Sequence, residues 1–165
     1  MDQDQVYEAV VASVTRARSY TDNVEWSPMD ATRADVDFTA EVCAIAVAEG
    51  AGVVNIPDTV GYTTPEEYTR YFERLYEIAP ELRGVRLSVH CHDDLGLAVA
   101  NTLSAINAGA RQVECTINGI GERAGNASLE EIVMAIRVRA DRLPYSTGVE
   151  TREIFATSQL LTALT

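Results

Sequence analysis

The sequence predicts an α/β fold that forms part of a (β/α)8 barrel, about its last five βα units, with parallel strands. Strand-like and helix-like segments alternate along the whole chain. Short connections between alternating elements imply parallel strands joined by crossover helices, in either an open doubly wound sheet or a barrel. The strands separate polar from apolar residues by parity, as in Arg86, Ser88, His90 and His92 against Leu87, Val89 and Cys91. A sheet with helices on both faces would be apolar on both, whereas a barrel directs a polar interior toward a site at the strand C-termini. At 165 residues the chain is shorter than the roughly 250 that a complete barrel uses.

Each element has a local reason. Val6, Ala9, Val10, Val14 and Ala17 recur at helical spacing until Tyr20-Thr21-Asp22-Asn23 breaks the pattern. Val24 to Ser27 reads as a strand stopped by Pro28, and a helix follows from about Asp35 to Glu49. Gly50 and Gly52 end that helix before the strand Val53 to Ile56. Thr64-Pro65-Glu66-Glu67 opens the next helix with a cap, a proline at the first position and acidic residues in the first turn. Val85 to Cys91 is a strand, Leu95 to Ala108 a helix, Gln112 to Ile117 a strand and Ser128 to Ala140 a helix. Tyr145 to Val149 reads equally as a fifth strand or as an exit linker. The expected organisation is one partial barrel domain over residues 1–165, without the first barrel strands.

Composition excludes several partners. The net charge of −12 gives no electrostatic reason to expect nucleic acid or an acidic membrane. No run approaches the roughly 20 apolar residues of a membrane span, and no export signal is expected at the start of the chain. Cys43, Cys91 and Cys115 are odd in number and lack CxxC spacing, which suits free thiols and a cytoplasmic location.

The chemistry concentrates at the strand ends. His90 and His92 are the only histidines, and their i, i+2 spacing on a strand aims both imidazoles at one side, a chelating geometry. An isolated HxH is more often a pair of ordinary hydrogen-bonding histidines. Here the pair ends a barrel strand and runs into Asp93 and Asp94, which suit outer-shell acceptors or the cap of the next helix. Asn118 to Asn126 follows the next strand with three glycines, an acid–base pair and two amides. It lacks the Gly-Lys-Ser/Thr of a phosphate loop and reads equally as a closing turn. Ser27 belongs to the polar parity of its strand, and Asn55 and Thr59 share the mouth of theirs, a segment that reads equally as a polar turn or as a place for substrate contact.

Four segments in order, EWSPMDATR (25–33), NIPDTVGYT (55–63), LSVHCHDDLGLAVAN (87–101) and TINGIGERAGNASLEE (116–131), resemble the 2-isopropylmalate synthase family, metal-dependent Claisen-type enzymes built on TIM barrels. The resemblance covers essentially the whole chain, from the helix before the fourth barrel strand to the region after the last barrel helix. It implies an acyltransferase that condenses acetyl-CoA with 2-oxoisovalerate, a 2-oxo acid, in leucine biosynthesis. It makes His90, His92 and Asn126 ligands of a divalent metal ion (Mn, Zn or Mg) and Thr59 the residue that binds the keto-acid carboxylate. It also implies a homodimer in the complete protein. No residue here is assigned as the enolising base. Imidazole and amide ligands are neutral and leave the ion strongly Lewis-acidic, which suits polarising a keto carbonyl.

The sequence departs from the family at two places. Met29 stands where most members have a glutamate lining the keto-acid pocket, which bears on substrate preference. The Arg-Asp pair of the family's first barrel strand, which supplies a further metal ligand and a catalytic electrophile, has no counterpart here, nor do the C-terminal subdomain and the leucine-sensing domain. A fragment inactive alone is therefore expected. The alternatives are a related citramalate or homocitrate synthase, or a non-catalytic metal-binding half-barrel that self-associates.

Overall fold

A computed structural model of the chain describes residues 2–165. Its elements are α1 (Gln3–Arg18), β1 (Glu25–Trp26), α2 (Val36–Ala48), β2 (Val53–Asp58), α3 (Pro65–Ile78), β3 (Arg86–Cys91), α4 (Ala98–Ala108), β4 (Gln112–Glu114), α5 (Leu129–Val138) and α6 (Ile154–Leu164). The four strands form one sheet in the order β1-β2-β3-β4 with every pair parallel. This is the α/β part-barrel that the alternation predicts.

Strand parity divides the sheet into two faces. Val54, Ile56, Leu87, Val89 and Cys91 point to the helix side and are fully or almost fully buried against Tyr68, Phe72 and Leu75 of α3, Cys43 of α2 and Ala98 and Ala105 of α4. Burying each large side chain of this kind contributes about 1.5–3 kcal/mol. The Tyr68 hydroxyl, buried among them, donates to the Ile56 carbonyl at 2.6 Å, so its polar end is satisfied. A second cluster, with Val10 and Val14 of α1 against Val24, Val42 and Ala46, fixes the first helix to α2.

The opposite face carries Glu25, Asn55, Ser88, His90, Gln112 and Glu114. The sheet is curved enough that its two edge strands meet across this face: the Gln112 amide on β4 donates to Glu25 on β1 at 2.6 Å. A flat sheet of this order would hold β1 and β4 about 14 Å apart, since adjacent strands are spaced about 4.8 Å. The polar face is therefore the inner face of an arc.

Several element boundaries differ from the sequence reading, each for a local reason. β4 stops at Glu114 instead of reaching Ile117, because Thr116 leaves the sheet to pair with the returning loop, donating to the Ala127 carbonyl at 3.1 Å and accepting from the Leu129 amide at 2.9 Å. The helix expected from Leu95 begins at Ala98, since Gly96 takes a φ of 70° and the Asp93 carboxylate caps the Ala98 amide at 2.9 Å. Tyr145 to Val149 is irregular and forms no strand, so the linker reading holds. Pro144 precedes it and Gly148 lies within it, and the Tyr145 ring lies 5.0 Å under the Arg111 guanidinium with its hydroxyl 3.2 Å from Asn107. Four strands are therefore present among the described residues, not five. The helix α6 is absent from the sequence reading and buries none of its residues. No helix among the described residues is long and apolar enough to cross a membrane.

Candidate metal and substrate site at the strand ends

The C-terminal ends of the strands open onto a cavity of about 560 Å³. Ser27, Asn55, Thr59, His90, His92 and Asn126, all the sequence-predicted site residues, line it together with Met29, Glu25 and Glu114. Parallel register explains the assembly. Asn55 is level with Ser88, and His90 is level with Glu114, so the inward-pointing members of successive strands sit side by side.

The two imidazoles converge, with His90 Nε2 and His92 Nε2 3.0 Å apart. Two nitrogen ligands about 2.1 Å from one ion and at right angles to each other are separated by about 3 Å, so this spacing fits a shared ion. Asn126 is brought to the same place by backbone pairing: the Ala127 amide donates to the Cys91 carbonyl at 3.0 Å, and the Asp93 amide to the Gly125 carbonyl at 2.9 Å. Asn126 Oδ1 is buried and accepts no hydrogen bond from the protein. A buried orphan carbonyl beside two convergent imidazoles is the donor set a divalent cation would satisfy. The loop glycines permit the approach, because a Cβ on Gly121 would lie 2.7 Å from Asn126 Oδ1, and one on Gly125, where φ is 102°, would lie 2.3 Å from the Gly119 carbonyl.

Outer partners that the sequence reading did not single out surround the imidazoles. Glu114 Oε2 lies 2.8 Å from His90 Nδ1. Burial opposes the ionisation of Glu114, but hydrogen bonds from Glu25 and His90 outweigh it and hold the carboxyl below its ordinary range. Glu25 goes the other way: burial, then the hydrogen bond to Glu114, raise it. Of the two carboxyls, Glu114 is therefore the one more readily ionised. Burial, followed by the neighbouring His90 and Arg123, keeps His92 below the usual imidazole value and so favours its neutral form. The signal for Glu114 was present as its inward parity, but its pairing with His90 needed the strand register.

Of the two roles expected of Asp93 and Asp94, the helix cap is the one seen. Asp93 caps α4, whereas Asp94 accepts from Arg123 Nε and Nη2, each at 2.8 Å. Arg123 also donates to the Thr59 carbonyl at 2.8 Å and contacts His92 Nδ1 at 2.6 Å. Thr59 Oγ1 accepts from the Asp30 amide at 3.0 Å, which leaves its own hydrogen free to donate. Asn55 donates to Ser27 Oγ at 3.2 Å, while its Oδ1 is buried without a partner. Met29 is 88% exposed at the rim.

The model for HMGL-like proteins matches residues 1–161. The chain belongs to the HMGL-like family. It is 54% identical over its whole length to a 2-isopropylmalate synthase from Rhodopseudomonas palustris, strain BisB5, of which it covers 32%. It is also 54% identical to a 2-isopropylmalate synthase from Bradyrhizobium sp., strain ORS 278, of which it covers 31%. The chain thus spans about a third of the length of these relatives. Among solved structures it resembles the hydroxymethylglutaryl-CoA lyase from Pseudomonas aeruginosa with a TM-score of 0.78 at 22% identity, over 96% of this chain and 54% of the lyase chain. That likeness concerns the fold, and agrees with a chain that forms part of an HMGL-like barrel.

Proposed function

We propose that this chain is the metal-binding part of the catalytic barrel of a 2-isopropylmalate synthase, a single partial domain over residues 1–165. In that reading the complete enzyme is a cytoplasmic, homodimeric acyltransferase of leucine biosynthesis. It condenses acetyl-CoA with 2-oxoisovalerate, forming 2-isopropylmalate and CoA, and this chain alone is inactive. The observation that carries the proposal is the convergence of two imidazole nitrogens at 3.0 Å beside an orphaned amide oxygen, at the strand ends of a family barrel. The 54% identity to synthases by name supports the substrate pair.

His90, His92 and Asn126 would hold a divalent cation of the Mn, Zn or Mg type. When bound, that ion supplies Lewis acidity to a keto carbonyl and charge for the alkoxide that grows as the carbon–carbon bond forms. The protein groups do the rest of the positioning. The Glu114 carboxylate holds the Nδ1 proton of His90, so that Nε2 keeps its lone pair. The Thr59 hydroxyl, already accepting from Asp30, has its hydrogen available for the substrate carboxylate. Ser27 and Asn55 line the same cavity, with Asn55 Oδ1 an unfilled acceptor. No group of this chain is assigned as the base that enolises the acetyl thioester, because both imidazoles are committed as ligands.

The proposal is tested by calorimetric titration of the metal-stripped chain with zinc and manganese, alongside a His90→Ala/His92→Ala double variant. One-to-one binding that the double variant loses is the expected result. Binding unchanged in the double variant, or none in the native chain, would count against the site.

A further inference from the structure

The outer partners of the two imidazoles make opposite demands. Glu114 is a carboxylate and can only accept, so His90 carries its proton on Nδ1 and offers a lone pair at Nε2. Arg123 is a guanidinium and can only donate, so at 2.6 Å it requires a bare Nδ1 on His92, and the proton of neutral His92 then sits on Nε2. An imidazole N–H cannot face a nitrogen without a lone pair at that distance. The 3.0 Å Nε2 to Nε2 contact fits the same assignment, with His92 donating to His90. One imidazole is therefore set for a cation and the other is set against it, with its proton where the ion would be.

We propose that Arg123 is a tautomer latch on this site: a divalent cation can engage His92 only after the guanidinium gives up Nδ1. This deepens the metal reading above and rests on it. The geometry also supplies the way out. Arg123 Nη2 has two hydrogens, yet Thr59 O, Asp94 Oδ2 and His92 Nδ1 all lie within 2.8 Å of it, so it can surrender one acceptor while both hydrogens stay bonded. Its side chain is 44% exposed. Asp94 Oδ2 and His92 Nδ1 share that one neighbour, so once it withdraws, a proton on His92 Nδ1 can be donated in a hydrogen bond to the Asp94 carboxylate. Both imidazoles would then be backed by carboxylates, the arrangement that orients histidine ligands and raises their basicity. Removing a fixed positive charge from the edge of a cation site acts in the same direction.

Two substitutions separate the latch from the loop it sits on. Arg123 has a φ of 57°, a conformation that asparagine tolerates better than most residues, so Arg123→Asn removes the donor without straining the backbone. Arg123→Lys keeps a donor-only cation. With 15N-labelled histidine, long-range nitrogen–proton correlation on the metal-free 165-residue chain reports each tautomer. The expected result is His90 protonated at Nδ1 and His92 at Nε2, with His92 switching to Nδ1 on adding zinc. Arg123→Asn should show the Nδ1 form of His92 without metal and bind zinc roughly tenfold more tightly, while Arg123→Lys stays near the native chain in both respects. If metal-free native His92 is already protonated at Nδ1, or Arg123→Asn binds zinc no more tightly than the native chain, the latch is wrong and the metal reading stands. If the native chain and Arg123→Asn both bind zinc no better than the His90→Ala/His92→Ala control, the metal reading is wrong and the latch goes with it.

Discussion

At the scale of single residues, the site depends on side chains whose partners lie on different strands. His90 is held by Glu114 one strand away, at the position its register assigns. Replacing Glu114 by alanine leaves the Nδ1 proton of His90 without its acceptor and the ring free to turn. Metal affinity is then expected to fall by roughly ten- to a hundredfold, measured by the same calorimetric titration. Glu114→Gln keeps an acceptor oxygen and should recover most of the loss. Equal affinities for Glu114→Ala and the native chain would remove Glu114 from the site. His90 and His92 were legible from spacing alone, because an i, i+2 pair on a strand must share a face. Arg123 was not, since it lies in a loop and reaches His92 through a backbone turn that periodicity does not encode.

At the scale of elements, the turn after β2 is pinned by a buried carboxylate. Asp58 is completely buried at the strand end. It accepts from the Thr32 hydroxyl at 2.9 Å, the Thr63 hydroxyl at 2.9 Å, the Thr63 amide at 3.2 Å and the Asn101 amide at 3.4 Å. These donors come from the turn after β1, the loop after β2 and α4, so one side chain ties three segments that surround the cavity. Asp58→Ala strands several buried donors and is expected to cost about 3 kcal/mol, read from the urea midpoint at constant slope. A loss below about 1 kcal/mol, the usual net value of one hydrogen bond, would mean that water replaces the carboxylate. The sequence marked NIPDTVGYT as a strand end with a polar turn, and the helix starts at Thr64 and Ser128 were legible from their caps. The early end of β4 was not, because Thr116 is drawn away by a loop residue distant in sequence.

At the scale of the whole molecule, the core contains groups whose charge folding suppresses. Burial pushes the Cys43 and Cys91 thiols up to about 12. Both values lie above that of an unfolded thiol, so the folded chain keeps these protons where the unfolded chain releases them. The stability they contribute is complete below about pH 8.5 and is lost as pH rises from there toward 12, by up to about 1.4 kcal/mol per pH unit for each thiol. Urea midpoints should therefore fall steadily above pH 9, while thiolate absorbance from these two cysteines appears only on unfolding. A midpoint that is flat with pH would show that the thiols are open to water.

The sequence by itself determined the alternation of strands and helices, the parallel sheet, the polar parity of its inner face and the convergence of His90 with His92. These properties depend on neighbours one to four positions apart, where strand and helix geometry act directly. It also carried the family, through motifs that span most of the chain. Only the tertiary structure decided that Tyr145 to Val149 is a linker, that Glu25 and Gln112 meet across a curved sheet and that Asn126 brings an orphaned oxygen to the imidazoles. It alone placed Glu114 beside His90 and Arg123 beside His92. Those facts depend on sheet register, curvature and loop return, which bring together residues up to 87 positions apart and which no local pattern records.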